Sequence, residues 1–147
     1  MWRILEPVIR EGETYSLDRD MTRAEALAYW INPAGRCFVA AVEGMILGTY
    51  YLRRNQAGGG SHVANCGYMV ATEARGQGIA RTMAEHSLEQ ARREGFRAMQ
   101  FNFVVATNSA AIRLWHSLGF ETAGRLPQAF DSPSSGLTDA LVMFRRL

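Results

Sequence analysis

The stretch from Asn65 to Ala80, NCGYMVATEARGQGIA, limits what this chain can fold into more than any other: an apolar strand gives way to a short polar turn and then to a glycine-punctuated helix start. Arg75, Gly76, Gln77, Gly78, Ile79 and Ala80 put a basic residue, two glycines and a small residue at that junction. Glycine tolerates positive φ and has no Cβ to hold a ligand away, so such a turn can aim several backbone N–H groups outward. The positive end of the following helix acts at the same spot. The stretch predicts an anion seat suited to a pyrophosphate, although as an isolated string it fits a plain chain reversal equally well. No Lys-Ser/Thr pair follows the glycines, and their spacing is not G-x-G-x-x-G. The P-loop and the dinucleotide fingerprint are therefore set aside.

A chain of 147 residues has room for a single domain, 1–147, with a real core. Its 48% apolar and 20% charged content is that of a soluble globular protein. It contains no run of about 18 apolar residues, and MWRILEPVIREGE lacks the apolar centre of a signal peptide. A cytoplasmic location away from membranes is the expectation. Cys37 and Cys66 lie in separate apolar runs without metal-ligand spacing, which reads as buried thiols rather than a disulfide, a metal site or a nucleophile. The formal charge is only +2, and no basic stripe with interleaved aromatics is visible, which argues against a nucleic-acid partner.

Along the chain, Trp2, Leu5, Val8 and Ile9 have helical spacing, with Pro7 limiting the start and Gly12 closing the segment. Thr22 and Glu25 form a capping box ahead of a second helix that Pro33 and Gly35 end. These two helices and the loop 13–21 are expected to form a flap. The runs 36–43 and 45–54 read as a hairpin turning at Glu43-Gly44. A strand at 62–71 leads into the glycine turn, and a helix follows from about Gly76 to Glu94. Residues 97–105 form an almost continuously apolar strand, expected at the centre of the sheet. Asn108 opens a helix that Gly119 ends, and strands at 120–125 and 138–145 close the chain around a loop, 126–137, with Phe130 and Pro133 as a lid. This order of elements gives a mixed sheet with helices on its faces.

Two segments together resemble the GCN5-related N-acetyltransferase, or GNAT, family. Val70 followed by Arg75-Gly76-Gln77-Gly78-Ile79-Ala80 matches the family's Q/R-x-x-G-x-G/A loop. Asn108 to Phe120, NSAAIRLWHSLGF, is similar to its N-x-x-A-I-x-L-Y-x-x-x-G-F segment. The resemblance implies an α/β (α+β) fold with a mixed, mostly antiparallel central sheet flanked by helices, here lacking the usual first strand. It implies acetyl-CoA as co-substrate and no metal. The loop from Arg75 to Ala80 would hold the pyrophosphate, and the backbone near Met69, Val70 and Ala71 would pair with the pantetheine arm where two strands splay. Asn108, Ala111 and Trp115 would line the cofactor from the second helix. A partner covering an exposed sheet edge would make a homodimer.

Two departures from the family pattern bear on chemistry. Trp115 stands where many members carry a proton-donating tyrosine, and an indole cannot deliver a proton at neutral pH. His116, about 100° round the helix, reads as a surface or packing residue. Asn65 occupies the neighbourhood of a glutamate base, and asparagine cannot take a proton. The site therefore suits a weakly basic amine, or relays the proton through water to His62 or Glu73. The Val70 N–H is the expected oxyanion donor. Asn65 and Asn102 either bond neighbouring backbone or face the acceptor amine, and Arg53, Tyr51 and Tyr15 are further candidates to line its pocket. The runs HVANCGYMV and FNFVVATN look similar to a subgroup that includes yeast acetyltransferases acting on toxic proline analogues. That implies a small amino or imino acid, with peptide or protein N-acetylation and a non-catalytic acyl-CoA sensor as alternatives.

Overall fold

A computed structural model describes residues 1–147. Helices α1 (Trp2–Glu11) and α2 (Arg23–Trp30) precede strands β1 (Gly35–Val42), β2 (Met45–Arg54) and β3 (Val63–Val70). Helix α3 (Ile79–Arg93), strand β4 (Ala98–Val105), helix α4 (Ser109–Ser117) and strands β5 (Glu121–Ser132) and β6 (Gly136–Arg146) complete the chain. The six strands form one sheet in the order β1-β2-β3-β4-β6-β5. Every neighbouring pair is antiparallel except β3 and β4, which α3 connects. The apolar run 97–105 is thus central, as its composition predicts.

Local chemistry explains several of these boundaries. The Thr22 side chain accepts from the Glu25 amide while the Glu25 carboxylate accepts from the Thr22 amide, so both orphan donors at the start of α2 are satisfied. Glu43 and Gly44 both have positive φ, 48° and 79°, the combination a two-residue hairpin turn needs to match strand twist. Pro7 lies inside α1 rather than at its start, where it forgoes one helical hydrogen bond.

The sheet separates two apolar layers. On one face, Met83, Ala84, Leu88 and Ala91 of α3 and Trp115 of α4 pack on Tyr50, Leu52, Ala64, Cys66, Met99 and Phe101. On the other, Ile4, Leu5, Val8 and Ile9 of α1 and Ala26 and Trp30 of α2 pack on Tyr51, Met69, Ala71 and Ala74. Here the expectation of a flap is corrected: Leu5 is 0% and Trp30 1% exposed, so α1 and α2 form a full structural layer.

The predicted lid loop at 126–137 is also corrected. Phe130 pairs with Thr138, Asp131 with Leu137 and Ser132 with Gly136, so the segment extends the β5–β6 hairpin down to a turn at Pro133–Ser135. Pro127 is accommodated because β5 is an edge strand and the register shifts between Leu126 and Phe130. Asp139 secures the irregular stretch: it accepts from the Gln128 amide and pairs with Arg125. At the hairpin tip the Ser132 hydroxyl donates to Glu13, 2.6 Å away, tying the hairpin to the α1–α2 connection.

Candidate active site

The site begins with a failure of pairing. β3 and β4 pair only at Val63–Ala98 and Ala64–Met99 and then part. Beyond this point β4 is itself irregular: between Phe101 and Val104 its register with β6 gains a residue, a bulge of the kind that bends a strand. Asn65 sits at the fork. Its Nδ2 donates to the Gln100 carbonyl at 2.9 Å, bridging the two strands where the backbone ladder stops.

Antiparallel pairing alternates, and the Asn55 N–H to Val63 O and Ala71 N–H to Leu47 O bonds show that the odd-numbered residues of β3 are bonded to β2. The backbone groups of Cys66, Tyr68 and Val70 therefore face the gap. This corrects the expectation for Met69 and Ala71. Their amides point toward β2, and Ala71 also gives its carbonyl to the Ala74 amide. Of the three residues facing the gap, Tyr68 is already engaged: its N–H donates to the Tyr15 hydroxyl at 2.7 Å, and that hydroxyl donates to the Tyr68 carbonyl at 2.8 Å. Burial raises the Tyr15 phenol well above its ordinary pKa, keeping the proton that this second bond requires.

The glycine turn lies at the end of β3. A 3₁₀ turn, Thr72–Ala74, precedes it, and α3 starts at Ile79, later than the expected Gly76. Gly76 and Gly78 have φ of 79° and 80°, and a Cβ on either would meet no protein atom within 4 Å. Their freedom is needed for the left-handed turn, and the space beside them is open. No side chain caps α3, and its first internal bond runs from the Thr82 amide to the Gly78 carbonyl. The amides of Ile79, Ala80 and Arg81 therefore precede the helical ladder. The Gln77 side chain donates to the Glu73 carbonyl, and Arg75 pairs with Glu11 of α1 at 3.5 Å.

On α4, the Asn108 side chain accepts from the Ala111 amide at 3.2 Å, so it is an N-cap. Asn108, Ala111 and Trp115 all border the gap. The Trp115 ring stands 5.1 Å from Tyr68 and 4.7 Å from Phe101, making an aromatic wall on the α4 side. The His116 Nδ1 donates to the Phe120 carbonyl at 2.9 Å, a helix-end packing role.

These parts enclose a cleft of about 530 Å³ between the splayed strands. It brings together Tyr15, Tyr51, Arg53, Asn65, Val70 and Asn102, along with Arg75 and the α4 residues. It does not bring in the two residues considered as water-linked bases. His62 is exposed and bonds the Gly59 carbonyl, and Glu73 pairs with Arg3. Asn102 is held at the mouth by Gln100 and Asn55. Tyr29 and Gly67 are site residues that sequence reasoning missed. Gly67 is buried, and a Cβ there would stand 2.6 Å from the Tyr51 ring, so its absence lets Tyr51 lie flat against β3.

Comparison with known proteins bears on the same residues. The model of the Acetyltransferase (GNAT) family matches residues 2–120. An N-acetyltransferase of Schizosaccharomyces pombe, aca1, is 35% identical over 137 residues; the match covers 82% of this chain and 66% of that protein, so the chain spans just under two thirds of this relative's length. The solved GCN5-related N-acetyltransferase of Kribbella flavida is 41% identical with a TM-score of 0.94, covering 99% of this chain and 90% of that one. A phosphinothricin acetyltransferase of Sinorhizobium meliloti, solved in complex with acetyl-CoA, shares the fold at 21% identity and a TM-score of 0.85, covering 98% of this chain and 80% of that one.

Proposed function

We infer, from the premise that this chain belongs to the acetyltransferase (GNAT) family, that residues 1–147 act as one acetyl-CoA-dependent N-acetyltransferase domain for a small amine or an amino or imino acid. The observation that carries this reading is a juxtaposition: the cleft beside the unpaired edge of β3 runs up to Arg75, and the uncapped start of α3 follows four residues later in the chain. A diphosphate is a ligand suited to the free amides of Ile79, Ala80 and Arg81 with Arg75 nearby. An extended arm bearing amides is suited to a strand edge whose neighbour has turned away.

In this reading the pantetheine arm lies along the open edge of β3, and the Val70 N–H, which points into the gap, is the donor to the oxygen of the thioester carbonyl as it gains charge. The Tyr68 amide joins it only where the Tyr15 hydroxyl gives way. Asn108, Ala111 and Trp115 wall the arm on the α4 side, and Asn65 and Asn102 face the acceptor.

Proton handling follows from what is missing. Asn65 cannot accept a proton, and the two cleft carboxylates are engaged, Glu11 with Arg75 and Glu13 with Ser132. The amine must arrive free. An amine of pKa about 8, such as a peptide N-terminus, is roughly one tenth free at pH 7, whereas one near 10.4 would need about 4.6 kcal/mol of help, so turnover of an amino or imino acid is expected to climb as pH rises toward its amine pKa. On the other side of the reaction, a thiolate whose acid has a pKa of about 8.5 leaves without help from a tyrosine.

The test is thiol release from acetyl-CoA across a panel of amines, with the acetylated product identified by mass. Turnover of small amino or imino acids is expected. Acetyl-CoA binding without release on any amine would replace this reading with that of a sensor, and turnover confined to peptides would replace the acceptor class.

A further inference from the structure

We propose that Arg53 is the carboxylate anchor of the acceptor site, so that the amine acetylated in this cleft carries a carboxylate group. The proposal rests on the acetyltransferase reading and adds the acceptor's charge to it. Six ion pairs in the protein occupy Arg3, Arg36, Arg75, Arg81, Arg93 and Arg125, and none includes Arg53. Arg53 is half-buried and borders the cleft, so its charge is partly removed from water without a counter-ion. That arrangement is unfavourable until an anion arrives.

The guanidinium is held in place by aromatic rings. Its Cζ lies 4.3 Å from the Tyr51 ring centroid and 5.2 Å from that of Tyr29. Its Nη2 donates to the Tyr29 hydroxyl at 3.3 Å and to the Tyr51 hydroxyl at 3.4 Å. Burial pushes the Tyr51 phenol above its ordinary range despite the nearby arginine, so no phenolate of Tyr51 cancels the charge. The aromatic seat is itself fixed. Trp30 meets Tyr51 edge to face at 5.0 Å, and the missing Cβ of Gly67 gives the Tyr51 ring its place. A planar, preorganised guanidinium with free N–H groups is built for bidentate pairing with a carboxylate.

An amide acceptor stands beside it. Arg53 on β2 is directly paired with Asn65 on β3, and both face the α1–α2 side of the sheet. Residues so paired have Cβ atoms about 5 Å apart. Because Nδ2 of Asn65 must face the Gln100 carbonyl, its Oδ1 is turned the other way, where no protein donor meets it. Arg53 and Asn65 Oδ1 thus offer the acceptor a cation and a hydrogen-bond acceptor on one face of the sheet. The carboxylate goes to Arg53, whose guanidinium lies over the ring of Tyr51, the residue paired with Gly67, and the amine is left to point along β3 toward the Val70 N–H.

The test uses thiol release with L-alanine, L-proline and L-methionine, each beside its own carboxamide. The carboxamides remove the negative charge and leave the amine in place. Because they also lower the amine pKa, the deciding quantity is how the acid-to-carboxamide ratio of kcat/KM changes between wild type and Arg53→Gln. The expected result is a drop on the order of 10- to 100-fold in that ratio, with partial recovery in Arg53→Lys and unchanged acetyl-CoA affinity. An unchanged ratio overturns the proposal. Should Arg53→Gln fail to fold, wild-type enzyme decides: preference for the acids, corrected for free-amine fraction, supports the anchor, and equal or better use of the carboxamides overturns it. Release with carboxamides but no acid preference leaves the acetyltransferase reading standing without the anchor. Release with no amine overturns both.

Discussion

Replacing Gly78 separates the electrostatics of the proposed diphosphate seat from its sterics. Gly78 has a φ of 80°, and a Cβ there would point into open space, so a side chain at this position meets the ligand and not the protein. Asp and Asn are nearly isosteric, and both tolerate the left-handed region better than other residues. The pair Gly78→Asp and Gly78→Asn therefore shares its backbone strain and bulk and differs by one charge. A carboxylate about 6 Å from a diphosphate carrying about two charges is repelled by ~1.4 kcal/mol in bulk water and ~5.5 kcal/mol at an effective dielectric of 20. Titration calorimetry with acetyl-CoA should therefore show Gly78→Asp binding at least about tenfold more weakly than Gly78→Asn. The gap should narrow between about 0.15 M and 1 M salt as the screening length falls from about 8 to about 3 Å. Equal affinities for the two variants, or a gap indifferent to salt, would refute the assignment of this turn to a phosphate.

Three further outcomes follow from particular contacts. Gly67→Ala puts a methyl group 2.6 Å from the Tyr51 ring, which is wedged between Trp30 and Arg53. It should lower stability by about 1–3 kcal/mol and raise the acceptor KM without weakening acetyl-CoA binding, as read by thermal melts and steady-state kinetics. Thr49→Val removes the acceptor of the Trp30 indole N–H, 3.0 Å away, at a site where Thr49 is 0% and Trp30 1% exposed. Urea unfolding should show a loss of about 1–3 kcal/mol, and unchanged stability would contradict the bond. Burial pushes the Cys66 thiol up to about 12, against an unfolded value of about 8.5. Between those values the folded chain holds a proton that the unfolded chain releases, so stability falls as pH rises through that window. Native Cys66 should accordingly resist alkylation at pH 9 and react once the chain is unfolded in urea.

What was legible in the sequence was local. The Thr22–Glu25 box, the Glu43-Gly44 turn and the Asn108 cap each depend on residues a few positions apart, and the structure has all three. The β5–β6 extension was missed because Pro127, Pro133 and the serines of 132–135 are turn residues by composition, while their pairing with residues 136–140 depends on a hairpin register. The loss of pairing beyond Ala64 goes with a bulge in β4 against a strand about 40 residues later, which periodicity along β4 cannot reveal. Arg53 shows the same limit. It was visible as a candidate, but its aromatic seat joins α2, β2 and the missing side chain at Gly67, and its lack of a counter-ion can be read only in three dimensions.

A crystal structure with coenzyme A bound tests the central claim most directly. The account predicts the diphosphate within hydrogen-bond reach of the Ile79, Ala80 and Arg81 amides, with the pantetheine arm lying between β3 and β4 against Val70. Coenzyme A bound elsewhere, or a gap between the two strands that stays closed to it at saturating concentration, would contradict the account.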